Sequence, residues 1–360
     1  MNNIMIAFQA SVSKGWLHDK GGFIFDEKYY KDPLYRQSQD RKMNGFVSKK
    51  FPEYPLYNME ANLMQAGHTS KNQVLVGGIQ PNLILAVVLG SEFMMYPDRD
   101  SDVSGNPLKD ITSGQDLPGI EQILDHPFIR ELDAQIMQMK SSRPDLEIIP
   151  PFFWDSSGRA TIHGIITTSL KLIGDDVMIM MIMDPDLLHI VHQWITDVYI
   201  LLINHFSELA NIPITSVHVG ECSGTMISNE QYSEFITPYV TQLGKAFGNI
   251  RLHSCGSTDH ILEAISQIEN LAVIDTGSNT SVAKIREIKG AAFEINLEPP
   301  VNLMLKDSPK SEIINWLDQV LEENKGGPIK FAFHLEFGYA VENCLAIYDE
   351  LRERKLILKS

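Results

Sequence analysis

The tripeptide His253-Ser254-Cys255 closes a short apolar run, Asn249-Ile250-Arg251-Leu252-His253. The run reads as a β-strand, and alternate strand residues share a face. His253 and Cys255 therefore point the same way. An imidazole and a thiolate so placed suit zinc, which takes nitrogen and sulfur ligands in tetrahedral geometry. The same pair also fits a plainer description, a hydrogen-bonded core histidine beside a small buried thiol. What stands at the other strand ends decides between the two, because strand C-termini gather in one place in a parallel α/β protein.

The elements that would position this pair form a repeating series. Strand candidates are Thr215–Val219, Asn249–His253, Leu271–Asp275, Ala291–Leu297 and Ile329–Leu335. After the tripeptide, Gly256-Ser257-Thr258-Asp259 opens a helix with apolar positions at Ile261, Leu262, Ile265 and Ile268. Ser228 with Gln231 reads as a capping box ahead of a helix from Tyr232 to Phe247. Ser308-Pro309 starts another, and Asn324-Lys325-Gly326-Gly327-Pro328 stops it.

The first half is less regular. Val74-Leu75-Val76 and Ile148 to Trp154 read as strands, Pro81 to Leu89 and Ile120 to Lys140 as helices, and residues 97–120 as a surface loop. A helix holding Ile162, Ile165, Ile166 and Leu170 is expected after the loop Asp155–Arg159, and Asp184-Pro185 caps one running to about Ala210. Strand–helix units at this spacing imply a parallel sheet. Five in the second half and two or three in the first suit an α/β protein of the (β/α)8 TIM-barrel type. A doubly wound open sheet is the alternative, but no GxGxxG loop and no linker appear. The expected organisation is one barrel domain, residues 71–360, preceded by an irregular N-terminal extension, residues 1–70, packed on it. The aromatic residues of that extension, Trp16 to Tyr35, suit either an arm wrapped on the domain or a cover over the mouth.

With parallel units, the strand ends share one rim. They bring Glu221, then His253 and Cys255, then Asp275 with Asn279 beyond it. Glu294, Asn296 and Glu298 follow, and His334 and Glu336 come last. Several carboxylates, two histidines and a thiol exceed what solvation needs, and this convergence favours a metal. Cys222 follows Glu221 directly, so its side chain is expected to turn away; Cys344, inside the last helix, reads as a packing residue. Trp154, Asp155, Ser156, Ser157 and Arg159 follow a strand end and are expected to contact substrate. With Phe152 and Phe153 they suit a ring-bearing molecule.

Composition narrows the partners. The chain has 360 residues, 44% hydrophobic and 21% charged, enough to bury a large core. Its formal net charge of -16 argues against nucleic acid and against anionic membrane, both of which demand a basic surface. Three cysteines make no disulfide framework, which points to a reducing, cytoplasmic compartment. Met1 to Ala10 lack a basic leader, so no secretory signal is expected. The longest apolar run, Val177 to Met183, is far short of the roughly 20 residues that span a bilayer.

At this point the sequence resembles the uroporphyrinogen decarboxylase superfamily, and within it the zinc-dependent, corrinoid-linked methyltransferases. The carrying stretches are Ile227-Ser228-Asn229-Glu230-Gln231-Tyr232 with Thr237-Pro238-Tyr239, then Leu252-His253-Ser254-Cys255-Gly256, the closing Glu342-Asn343 helix, and Gly164 to Leu188. The resemblance implies a (β/α)8 barrel with its site at the C-terminal mouth and zinc on His253 and Cys255. In the family a further thiolate comes from the last strand, in Gly-Cys-Gly. Here the chain reads Leu335-Glu336-Phe337-Gly338, so Glu336, or His334, has to replace it. Glu221 stands where many relatives carry an acidic residue. The ligand set expected from the resemblance is thus Glu221, His253, Cys255 and Glu336, with Trp154, Asp155, Arg159, His334 and Asn279 as substrate contacts. The implied function moves a methyl group between a small methylated substrate, such as a methyl ether, and a corrinoid held by a partner protein. The alternative is a metal-independent decarboxylase. Against it, the family's arginine-rich N-terminal segment has no match, and the first 50 residues hold only Arg36 and Arg41.

Overall fold

A computed structural model describes residues 6–54, 56–58, 72–154 and 156–357. The strands in parallel pairing are β1 (Ala7–Val12), β2 (Leu56–Asn58), β3 (Gln73–Leu75), β4 (Glu147–Ile149), β5 (Arg159–His163), β6 (Ser216–Gly220), β7 (Asn249–Ser254), β8 (Leu271–Thr276), β9 (Glu294–Leu297) and β10 (Ile329–Leu335). Eight of them form one parallel sheet in the order β2-β1-β10-β9-β8-β7-β6-β5. β3 and β4 make a separate parallel pair, tied to β5 where Thr161 N–H donates to the Phe152 carbonyl at 2.7 Å. Helices fill the connections, and the architecture is a (β/α)8 barrel of the TIM type. The ladder does not close between β2 and β5 among the described residues.

The alternation along each strand separates two environments. Ile250, Leu252, Ile274, Ile295 and Leu297 are buried on the outer face, where Ile250 meets Gly244 of the helix Thr237–Phe247. Between them stand His218, Arg251, His253, Asp275 and Asn296, also buried but polar. The apolar core therefore lies between sheet and helices, while the barrel interior is lined by groups that must pair with one another. Strand register sets their level. Asp275 lies opposite His253, and Asn296 opposite Asp275.

Several elements follow the sequence closely. The helix Pro185–Ala210 begins where Asp184 caps it, and the Ser228/Gln231 capping box is formed. That long helix is apolar enough to cross a bilayer, but most of its apolar window is buried inside the protein, as a core helix requires. Elsewhere proline divides what reads as one helix. Thr237-Pro238 splits Tyr232–Phe247 in two, and His126-Pro127 separates the 3-10 turn Ile120–Asp125 from the helix Pro127–Ser142. A proline cannot donate the helical bond; His126 ahead of Pro127 is extended as expected, while at Pro238 the break falls on Ile236 and Thr237 already belongs to the second helix.

Two larger differences concern the N-terminal half. The first 70 residues contribute β1 and β2 to the sheet, with β1 paired along its length to β10. They also form the helices Lys14–Gly21, Glu27–Lys31 and Pro33–Lys50, and their aromatic residues Trp16, Phe25, Tyr29 and Tyr30 are buried. The second is β5 itself. Ile162 belongs to this strand and not to the following helix, which starts after Gly164. Five residues are too short to display period 2 clearly, and Ile162, Ile165, Ile166 and Leu170 happen to satisfy helical spacing.

Candidate metal centre

β7 ends with His253-Ser254, and the chain turns at Cys255. Beside it, Glu221 N–H donates to the His253 carbonyl at 2.7 Å, and the 3-10 turn Cys222–Met226 begins. That turn brings Cys222 back over the end of β7. Its Sγ lies 2.9 Å from Cys255 Sγ, and His253 Nε2 lies 3.3 Å from Cys255 Sγ. The three donor atoms are all within 4.8 Å of one another. His253 is buried and Cys255 exposed, so the cluster has one face on the barrel interior and one on the mouth. The expectation that Cys222 turns away is wrong for a local reason. β6 stops at Gly220, and alternation does not extend into a 3-10 turn.

Glu221 and Glu336 do not join this cluster. The Glu221 carboxylate accepts from Thr167 N–H and Thr167 Oγ1–H, each at 3.0 Å. Thr167 lies in the first turn of the helix Ile165–Ile173, whose N-cap is Gly164 and offers no side chain. Glu221 supplies the missing cap from the turn after β6. Burial raises its pKa to about 7. Glu336 sits beyond β10; burial raises its pKa while a hydrogen bond with Ser13 opposes the rise. His334 Nδ1 is bonded to Ser11 Oγ at 2.6 Å, and burial lowers its pKa to about 4.

Behind the cluster, His253 Nδ1 lies 3.4 Å from Asp275 Oδ2. Glu298 completes a second group with these two. Burial alone would suppress the His253 imidazolium, but Asp275 on one ring nitrogen and the sulfurs on the other hold its pKa well above the usual range. The bond between the two thiols lowers Cys222 to about 4, and the same bond raises Cys255. Two sulfurs and an imidazole nitrogen converging on one point are a zinc donor set. A carboxylate on the far ring nitrogen is the usual way such a histidine is oriented. The residues present fit zinc.

The expected substrate contacts divide. His334 lies at the mouth end of β10. Asn279 is exposed on the loop after β8, beside a cleft formed with Asp259, Trp316 and Glu323. Trp154 and Arg159 are at the other end of the barrel. Arg159 opens β5 opposite Ser216, the first residue of β6, while His163 at the far end pairs with Gly220. Thr215, ahead of β6, is bonded to Gly158 and Ser157. The loop runs from β4 into the start of β5, so its Arg159 end lies where β5 and β6 begin, away from the mouth. Asp155 lies outside the described residues. His163, whose burial lowers its pKa to about 4, comes close enough to Cys222 and His253 to feel their charges. Sequence reasoning missed it together with β5; Gly158 and Gly164 flanking an alternating pentapeptide were the available signal.

Fold and cluster together describe a barrel enzyme with its chemistry at the strand C-termini. The model of the uroporphyrinogen decarboxylase (URO-D) family matches residues 161–349, which contain every member of the cluster. The chain belongs to the uroporphyrinogen decarboxylase family. Among solved structures it is similar to a methyltransferase from Methanosarcina mazei, with a TM-score of 0.61 and 16% sequence identity. That likeness covers 99% of this chain and 95% of the other, and it is a likeness of fold. No curated protein matches the sequence.

Proposed function

We propose that this protein is a zinc-dependent methyltransferase that moves a methyl group between a small methylated substrate, such as a methyl ether, and a corrinoid held by a partner protein in the cytoplasm. The observation that carries this reading is the convergence of Cys222, His253 and Cys255 at the mouth of a URO-D family barrel. The fold likeness to a methyltransferase supports it. Cys222, His253 and Cys255 would hold zinc, with Glu221 assigned to the helix cap and Glu336 to the rim. The second sulfur, which the resemblance leads one to seek on the last strand, would come from the turn after β6.

Zinc so held is a Lewis acid that polarises a bound ether oxygen or lowers the pKa of a bound thiol. The chain's own contribution is orientation and a shielded site. Asp275 faces the inner nitrogen of His253, and Glu298 and His163 border the cluster. The decarboxylase reading is weaker because Arg36, one of two N-terminal arginines, is committed to the fold. It is buried over the Tyr29 ring at 4.7 Å and bonded to the Gly77 and Gly78 carbonyls at 3.3 Å.

The test is metal content together with turnover. Purified protein should carry about one zinc and should methylate cob(I)alamin from a methoxylated arene. Uroporphyrinogen decarboxylation that survives complete metal removal, without methyl transfer, would replace this reading with the other.

A further inference from the structure

Arg251 lies two residues before His253 on β7 and on the same face. Its Nε donates to Asp275 Oδ2 at 3.0 Å, and its Nη2 bonds the same oxygen. That oxygen is the one facing His253 Nδ1. From the other side Asn296, with its carboxamide oxygen turned inward, accepts from Arg251 Nε and Nη2 at 3.1 Å each. Arg251, Asp275 and His253 are at most 6% exposed. A buried carboxylate is tolerated only when paired, and a planar guanidinium fixes it more narrowly than an ammonium would.

We propose that Arg251 is a positioning residue for the metal centre: it clamps Asp275 against His253, so that the ring keeps Nε2 aimed at Cys222 and Cys255. This rests on the reading of those three side chains as zinc ligands. Among the described residues Arg251 has no hydrogen bond to either sulfur. Its hydrogen-bonded path to His253 runs through one carboxylate oxygen, and that makes the path separable from a general contribution to folding. If Arg251 acts only through Asp275, removing Asp275 leaves it nothing to position.

The experiment measures Zn2+ and Co2+ affinity by chelator competition, with the visible spectrum of the Co2+ form as a report on coordination. Asp275→Asn should weaken binding about 10–100-fold, the usual cost of losing a ligand's outer partner. Arg251→Met should weaken it by about 10-fold, at the low end of that range, and shift the Co2+ bands. The double variant Arg251→Met/Asp275→Asn should bind no more weakly than Asp275→Asn alone, since coupled residues are not additive. The double variant also leaves no unpaired buried charge, so it tests the idea even where Arg251→Met folds poorly. Arg251→Lys, which keeps the charge without the fork, should lose affinity as well. Wild-type affinity and spectrum in Arg251→Met and Arg251→Lys, or losses that multiply in the double variant, overturn the proposal. A wild-type protein that takes up no Co2+ overturns the ligand reading on which it stands.

Discussion

Cys222 Sγ and Cys255 Sγ approach to 2.9 Å although 33 residues separate them in the chain. One follows β6 and the other β7, so adjacent parallel strands deliver both sulfurs to one rim. Neither forms a disulfide.

This contact makes Cys222 the candidate for the second sulfur of the proposed centre. Cys222→Ser should lower zinc content well below one per chain in elemental analysis. Its affinity loss should exceed the roughly 10–100-fold that an outer-shell change costs. Glu336→Gln and Glu221→Gln should keep the metal. A Cys222→Ser protein that retains full zinc while Glu336→Gln loses it would restore the carboxylate assignment.

Metal-free protein should also be sensitive to peroxide. Attack of the Cys222 thiolate on hydrogen peroxide gives a sulfenic acid, and Cys255 then displaces water to close a disulfide. Mass spectrometry of alkylated peptides should find one intramolecular Cys222–Cys255 link, with buried Cys344 still a thiol. Bound zinc should protect the pair. Linkage through Cys344 instead would show that the two sulfurs do not meet in solution.

Glu221 should prove to be a stability residue. Removing its acceptor in Glu221→Ala should cost about 0.5–2 kcal/mol, the range for a lost N-cap. Gly164→Ala would drive a methyl group onto the Glu221 carboxylate, costing about 1–3 kcal/mol as overpacking does. Because truncating Glu221 makes room for that methyl, the double variant should lose less than the sum in chemical denaturation. Strict additivity would mean the two do not meet.

A pH effect should arise far from the centre, at His192. Its Nδ1–H donates to the Phe235 carbonyl at 2.9 Å, Nε2 is buried with no partner among the described residues, and burial lowers the pKa from 6.5 to about 3. The unfolded chain takes up this proton below pH 6.5 while the folded chain refuses it. Stability from this group is therefore complete above 6.5 and is lost as pH falls toward 3. In urea titrations of metal-free protein, His192→Phe should show a shallower acid-side decline than wild type. An identical slope would remove His192 from the account.

The sequence by itself determined the parallel barrel, the strands β6 to β10 within one or two residues at most ends, and His253 with Cys255 on one face. These follow from periodicity, caps and turn residues, which act over a few neighbours along the chain. Glu221 was legible as a rim residue on the same grounds. Its role was not, because that depends on Gly164, a bare helix start 57 residues earlier that needs a cap from elsewhere. The tertiary structure alone placed Cys222 in the cluster, since a 3-10 turn after β6 sets the direction of its side chain where strand alternation has ended. It also placed Trp154 and Arg159 away from the mouth, because Arg159 opens β5, a strand the sequence pattern did not reveal. The pairing of Arg251 with Asp275 and His253 arises from register between neighbouring strands, which no single stretch of sequence contains.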